Sequence, residues 1–210
     1  MPGTESAPVA HLAVYDDLAD FEVGHLLAEL RTGRFTGVPF AIVTAGATPD
    51  PIVTMGGIRI VPDVVIDDAD PAASRLLVLP GSTLWDAGGG APFVDAARRF
   101  AAAGVPVAAI CGAVLGLARA GLLDGRDHTG AAPEYLAQSG YAGAGRYRDA
   151  RAVADGGLIT AGPQSPIHFA RAVLGALGLA SDRTLDAYED VFHRGDPAGY
   201  PALMEAAGAA

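Results

Sequence analysis

One residue type in this chain occurs once and in a position suited to chemistry. Cys111 follows the apolar run Val105-Pro106-Val107-Ala108-Ala109-Ile110, which reads as a short, fully buried strand. After Cys111-Gly112-Ala113, the run Val114-Leu115-Gly116-Leu117-Ala118 continues with helix-compatible spacing. A thiol at a tight strand-to-helix turn is placed as a nucleophile, because small neighbours permit a sharp backbone there. It also faces a helix N-terminus, whose unpaired N–H groups and dipole favour the thiolate. The competing reading is the commoner use of a lone cysteine, as a small buried hydrophobe. Position alone does not choose between them.

In an open α/β sheet, ligands bind at the carboxyl ends of the strands. Three loops should meet Cys111 at that edge: Asp16 to Asp20 after the first strand, Pro80-Gly81-Ser82 after the third, and the Cys111 turn itself. Glu22 lies in the first turn of the helix after the first strand, at the border of its apolar stripe. A partly desolvated carboxyl there has a raised pKa and can stay protonated to donate a hydrogen bond. The plainer reading is a first-turn acid interacting with the helix dipole. Gly81 and Ser82 end a strand at a Pro-Gly turn, where free amides could form an oxyanion hole with the amide of Gly112. Ordinary turn chemistry accounts for Pro-Gly equally well. Of the five histidines, His11 in a strand and His25 inside a helix read as packed or surface residues. His128 follows Cys111 by one helix and a loop, which suits a partner base, and His168 lies early in a late helix that could begin at the same edge. No metal-ligand spacing stands out.

The elements that must position these residues follow from pattern. Val9–Tyr15 is a buried strand, and Asp20 is expected to cap a helix running to about Arg31 on the stripe Val23, Leu26, Leu27 and Leu30. Val38–Ala45 is a second strand. Ile52–Thr54 and Ile58–Val61 flank Met55-Gly56-Gly57 as a small hairpin. Arg75–Leu79 is another buried strand, and a helix from about Pro92 to Ala103 leads to the strand before Cys111. A short helix near Pro133–Gln138, two strand pieces around Asp155-Gly156-Gly157 and a helix from about Ser165 to Leu177 follow. The tail from Ser181 reads as mixed, with a frayed Ala/Gly-rich end. Buried strands alternating with amphipathic helices predict an α/β fold, a mainly parallel sheet with helices on both faces. Gly88-Gly89-Gly90 lacks the dinucleotide-binding spacing and reads as a loop.

Composition narrows the function classes. The chain reads as a single domain over residues 1–210, with its core at about 9–179 and a C-terminal extension at 180–210. Half the 210 residues are hydrophobic, ample for a sizeable core. One cysteine cannot make an internal disulfide. No segment reaches the length of a membrane helix, and the first six residues lack the basic flank of a signal peptide. A cytoplasmic protein that binds no membrane is therefore expected. The net charge of −10 argues against nucleic-acid binding. All fourteen basic residues are arginine, and neither lysine nor asparagine occurs. That excludes a lysine Schiff base, a P-loop lysine and any catalytic pair needing asparagine. No cofactor is expected.

Ala109-Ile110-Cys111-Gly112-Ala113, followed by Gly116-Leu117-Ala118-Arg119-Ala120-Gly121-Leu122-Leu123-Asp124-Gly125-Arg126, closely resembles the nucleophile-elbow region of the ThiJ/PfpI superfamily, which has the class I glutamine amidotransferase-like fold. The resemblance extends to Asp20-Phe21-Glu22, Leu79-Pro80-Gly81 and Gly157-Leu158-Ile159-Thr160-Ala161-Gly162, and spans roughly Val9 to Leu179. It implies a flavodoxin-like three-layer sandwich, commonly a homodimer, with a cysteine at the elbow and a glutamic acid hydrogen-bonded to it. Those roles fall on Cys111 and Glu22, with the backbone at Gly81, Ser82 and Gly112 receiving negative charge. Many members have Pro-Gly-Gly where this chain has Pro-Gly-Ser, a small departure because the backbone does the work. The larger departure concerns the histidine that members with a Cys-His pair carry after the elbow helix. In that register this chain has Ala131, and His128 comes earlier.

Two functions from different classes follow. The first is a cysteine-dependent hydrolase or lyase on a small electrophile, of amidase, hydratase or glyoxalase/deglycase type, with Cys111 attacking and Glu22 donating or shuttling a proton. Without the usual base, protease activity is disfavoured. The second is a non-catalytic redox or stress sensor working through oxidation of Cys111. A ligand-binding regulator domain is a weaker third reading, since no helix-turn-helix segment or basic tail is visible.

Overall fold

The structure, a computed structural model, describes residues 7–208. Its central strands are short runs of β-branched, leucine and alanine residues buried on both faces, the signature of a parallel sheet covered by helices. In chain order the elements are β1 (Val9–Val14), α1 (Asp20–Thr32), β2 (Ala41–Gly46), β3 (Ile52–Val53), β4 (Arg59–Ile60), β5 (Val64–Val65), β6 (Leu76–Leu79), α2 (Thr83–Asp86) and α3 (Ala91–Ala102). Then come β7 (Val107–Ile110), α4 (Gly112–Arg119), α5 (Pro133–Ala137), β8 (Ala152–Asp155), β9 (Leu158–Ala161), α6 (Pro166–Ala176), α7 (Asp182–Glu189) and α8 (Tyr200–Gly208).

Seven strands form one sheet in the order β5-β2-β1-β6-β7-β9-β8. All neighbours are parallel except β8 and β9, which are antiparallel across the Gly156-Gly157 turn. Helices cover both faces, so the architecture is the flavodoxin-like α/β sandwich expected. The central strands β6 and β7 are wholly buried. Strands β3 and β4 pair as a separate hairpin. That hairpin is tied to the loop after β1, where Asp17 N–H donates to the Val53 carbonyl at 2.9 Å and Met55 N–H to the Leu18 carbonyl at 2.8 Å.

Three details differ from the pattern reading, each for a local reason. Strand β2 begins at Ala41 rather than Val38; Pro39 restricts its own φ and that of the residue before it. Helix α1 begins at Asp20, with Ala19 in the capping position, so Asp20 is not the cap. Its carboxylate instead accepts the Gly56 amide of the hairpin at 2.6 Å. The tail is more ordered than expected: Ser181 caps α7 by accepting Thr184 N–H, and a π-helical turn at Asp190–Arg194 leads toward α8. Gly90, last of the Gly88-Gly89-Gly90 run, takes φ 86° as the cap of α3, which is a loop role.

Candidate functional site

Strand β7 ends at Ile110, and helix α4 begins at Gly112, so a single residue makes the turn between them. That residue is Cys111, at φ 60° and ψ −126°. Only Cys111 and Asp17 among the non-glycine described residues have positive φ. Such a conformation costs of order 1–3 kcal/mol and persists only where the surroundings over-determine it. Here they do. Cys111 N–H extends the β7–β9 ladder by donating to the Ala161 carbonyl at 3.0 Å, and its carbonyl accepts Val114 N–H at 3.1 Å in the first turn of α4.

Beneath the turn, Trp85 of α2 is fully buried and packs against Gly112 and Gly116 on one face of α4. Its indole N–H donates to the Pro80 carbonyl at 3.0 Å, and the Tyr15 hydroxyl donates to the same carbonyl. A trans peptide points its C=O and N–H in opposite directions. Pinning the Pro80 carbonyl inward therefore aims the Gly81 amide outward, where it donates to Glu22 Oε2 at 2.7 Å.

Glu22 reaches this point from the first turn of α1 and is only 1% exposed. Its pKa is raised, first by burial, while hydrogen bonds with the Cys111 thiol and the Gly81 amide pull the other way. Cys111 is pushed up to about 12, by burial first and then by the Glu22 charge and hydrogen bond; the Gly112 amide opposes this. Burial is the leading cause of both shifts, and the Glu22 charge adds to that of the thiol. A glycine is required at 81, because a Cβ there would lie 2.6 Å from Glu22 Oε2 and 2.8 Å from Cys111 Cβ.

The three expected loops do converge. Cys111, Glu22, Gly81, Ser82 and Gly112 all line one cleft of about 210 Å³. The expected trio of backbone amides does not stay together, however. Gly81 N–H is already committed to Glu22, which leaves the amides of Ser82 and Gly112. Ser82 Oγ donates to the Asp16 carbonyl at 2.7 Å and accepts Leu84 N–H at 3.1 Å. It thus locks the turn and points no hydroxyl at the sulfur.

The histidines lie elsewhere. His128 is fully buried, with Nδ1 on the Arg126 carbonyl at 2.8 Å and Nε2 on the Tyr141 hydroxyl at 2.9 Å. His168 stacks edge-on to His193 at 4.3 Å between ring centroids. Neither lines the cleft, and neither does Ala131. Helix α5 supplies a different polar group: the Tyr135 hydroxyl, donating to Asp86 Oδ1 of α2 at 2.6 Å. Tyr135 and Asp86 both wall the cleft, as do Phe21 and Met55. Sequence reasoning missed this pair. The available signals were Ser82 as the cap of a short helix ending at Asp86, and Pro133 opening the helix that carries Tyr135. Among the described residues no group of three or more His, Cys, Asp or Glu side chains is placed to hold a metal ion, and no helix is long and apolar enough to cross a membrane.

A mostly parallel flavodoxin-like sheet with a cysteine at the strained turn after a central strand, and a buried carboxyl against it, defines a class of α/β domains. The chain belongs to the DJ-1/PfpI family, whose profile matches residues 9–176. It is 34% identical over 183 residues to a Bacillus subtilis (strain 168) protein named "Uncharacterized protease YoaZ", covering 85% of this chain and 87% of that one. Among solved structures, the thiJ/pfpI family protein from Bacillus anthracis superposes with a TM-score of 0.89 at 34% identity, covering 96% of this chain and 99% of that one. The DJ-1 superfamily protein Atu0886 from Agrobacterium tumefaciens gives 0.79 at 31% identity, over 90% and 99% of the two chains.

Proposed function

We propose that this protein is a cysteine-dependent enzyme acting on a small electrophilic substrate, of amidase, hydratase or glyoxalase/deglycase type. The observation that carries the reading is the strained Cys111 at φ 60°, held against the buried Glu22 carboxyl. Backbone strain of this kind collects at functional sites. A structural cysteine has no need of an acidic partner.

The chemistry balances with these two side chains. Glu22 accepts the thiol proton as Sγ attacks an electrophilic carbon, so a C–S bond forms and the carbon's π pair moves to its oxygen or nitrogen. The amides of Ser82 and Gly112 receive that charge. Glu22 then returns the proton to the leaving group, whose bond to the carbon breaks, or to the heteroatom. Water next attacks the same carbon and gives a proton to Glu22, the C–S bond breaks, and Sγ takes that proton back as the product leaves. This cycle needs no histidine, in keeping with where His128 and His168 lie. "Protease" belongs to the name of the Bacillus relative; a cleft of about 210 Å³ suits a small molecule better than a polypeptide.

A panel of small amides, α-oxoaldehydes and isocyanides, run on the wild type, Cys111→Ser and Glu22→Ala, tests the proposal. Turnover of at least one class by the wild type, abolished in both variants, is the expected result. Turnover that survives Cys111→Ser removes the nucleophile assignment.

The hydrogen bond between Glu22 and Cys111 also favours the redox-sensor reading, since a protonated Glu22 could donate to an oxygen added to the sulfur. Intact mass after mild peroxide separates this reading. A sensor gains oxygen at Cys111 at concentrations that spare the three methionines. The expected homodimer is supported by the exposed apolar side chains Val53, Met55, Ile58 and Val61 on and beside the β3–β4 hairpin.

A further inference from the structure

We infer that the Cys111 cleft selects substrates that carry a positive charge, with Asp86 as the anchor for the cationic group and Tyr135 as the residue that positions it. The inference rests on the reading of Cys111 as the reacting group and adds the class of molecule presented to it.

The walls of the cleft carry one sign of charge. Glu22 and Asp86 are its ionisable carboxyl groups, and no arginine or histidine lines it among the described residues. The chain contains no lysine at all. Arg119 is nearby, but its guanidinium donates to the Trp85 carbonyl and forms no part of the lining. An anionic substrate would meet two carboxyl groups with no cationic side chain in the lining to pair against, and like charges in a cleft repel.

The Asp86 carboxylate is presented for binding. The Tyr135 hydroxyl donates to Oδ1 at 2.6 Å, and Oδ2 takes no hydrogen bond from any described residue. A fixed carboxylate with one free oxygen is an acceptor for an ammonium or guanidinium group. Two aromatic rings stand in the same cleft, Tyr135 and the 57% exposed Phe21. Ring faces attract cations at partly desolvated sites. The net charge of −10 draws cations toward the protein from further away. The substrate class is thus a small molecule with an amine or guanidine a few atoms from its electrophilic carbon, anchored at Asp86 while Cys111 attacks.

The test needs no knowledge of the substrate. Cys111 is modified with three methanethiosulfonates, carrying a trimethylammonium-ethyl, a methyl or a sulfonatoethyl group. In each reaction Sγ attacks the reagent's divalent sulfur, a disulfide forms, and methanesulfinate leaves. Each rate is divided by the rate of the same reagent with free cysteine. The cationic reagent should exceed the anionic one by about tenfold or more at low ionic strength, with the ratio shrinking as salt screens the cleft. Asp86→Asn should reduce the ratio by about fivefold, the scale of one lost partly exposed charge pair. Asp86→Glu should retain most of it, and Tyr135→Phe should fall between. Equal normalised rates for the two charged reagents, or a ratio unchanged in Asp86→Asn, overturns the cation preference and leaves the Cys111 reading standing. Failure of even the neutral methyl reagent to reach Cys111 in the folded protein overturns the Cys111 reading, and this inference with it.

Discussion

Replacing Gly81 with alanine adds one methyl group at the point where the site is tightest. The new Cβ would fall 2.6 Å and 2.8 Å from the two Glu22 carboxyl oxygens and 2.8 Å from Cys111 Cβ. None of these neighbours is free to move. Glu22 is 1% exposed, and Cys111 is held by hydrogen bonds at both its amide and its carbonyl. Forcing an extra methyl into such packing costs about 1–3 kcal/mol. Displacing Glu22 from the Gly81 amide leaves a buried acceptor short of its partner, for about 1–3 kcal/mol more. The total of about 2–6 kcal/mol should lower the melting temperature by roughly 4–24 °C in a domain of this size. Gly24 is the control: it lies on the exposed side of α1, and a Cβ there meets nothing within 4 Å. Gly24→Ala should therefore stabilise the protein by about 1 kcal/mol through helix propensity. Urea denaturation of both variants, followed by the fluorescence of the single tryptophan Trp85, reads both effects. If Gly81→Ala unfolds within about 0.5 kcal/mol of the wild type, well under the overpacking scale, the close packing of Glu22 against the Cys111 turn is wrong.

Three further outcomes follow from the same geometry. Glu22 has a raised folded-state pKa, so the folded state holds that proton more tightly than the unfolded chain does. The stability this contributes is complete below the ordinary carboxyl range and is lost as pH rises through the folded pKa; the urea midpoint of Glu22→Gln minus that of the wild type should rise from pH 4 to pH 8, and a difference that falls over that range would contradict the assignment. With the Glu22 charge gone, Cys111 loses a principal cause of its pKa of about 12, and iodoacetamide should label Glu22→Gln about tenfold faster at pH 8, the effect of one pKa unit. Turnover should nonetheless be lost, since glutamine cannot accept the proton; slower labelling in the variant would mean that Glu22 normally holds the proton and supports a thiolate. Finally, Arg34 is the bidentate partner of the buried Glu29, at 2.8 and 2.5 Å. Because Arg34 is half exposed, Arg34→Ala should cost about 2 kcal/mol, against about 0–1 for Arg183→Ala, whose pair with Glu205 is largely exposed; equal costs in urea titrations would refute the distinction.

Much of the fold was legible because burial leaves a trace in residue order. The runs ending at Leu79 and Ile110 are apolar throughout, and the run ending at Val14 is apolar but for His11, as strands covered on both faces should be; the Gly156-Gly157 turn announces the β8–β9 hairpin. Boundaries were less legible where two preferences compete. Asp20 is a good cap by type, but its carboxylate is taken by Gly56, 36 residues away. Strand β5 is two residues long, too short for any periodicity. The tail helices α7 and α8 pack on the rest of the chain through Leu185, Tyr188 and Leu203, contacts that an Ala/Gly-rich sequence does not advertise.

The site divides the same way. Sequence alone determined that a lone cysteine stands at a strand-to-helix turn, that Glu22 and Gly81-Ser82 belong to the same sheet edge, and that no lysine or asparagine takes part. These depend on residue type and on the order of elements, which local patterning reveals. Tertiary structure decided how each group is used. The Gly81 amide went to Glu22 because Trp85 and Tyr15 fix the Pro80 carbonyl from 5 and 65 residues away. His128 is locked between Arg126 and Tyr141, and Tyr135 meets Asp86 across 49 residues of chain. Hydrogen-bond partners distant in sequence are chosen by packing, and packing has no local signature.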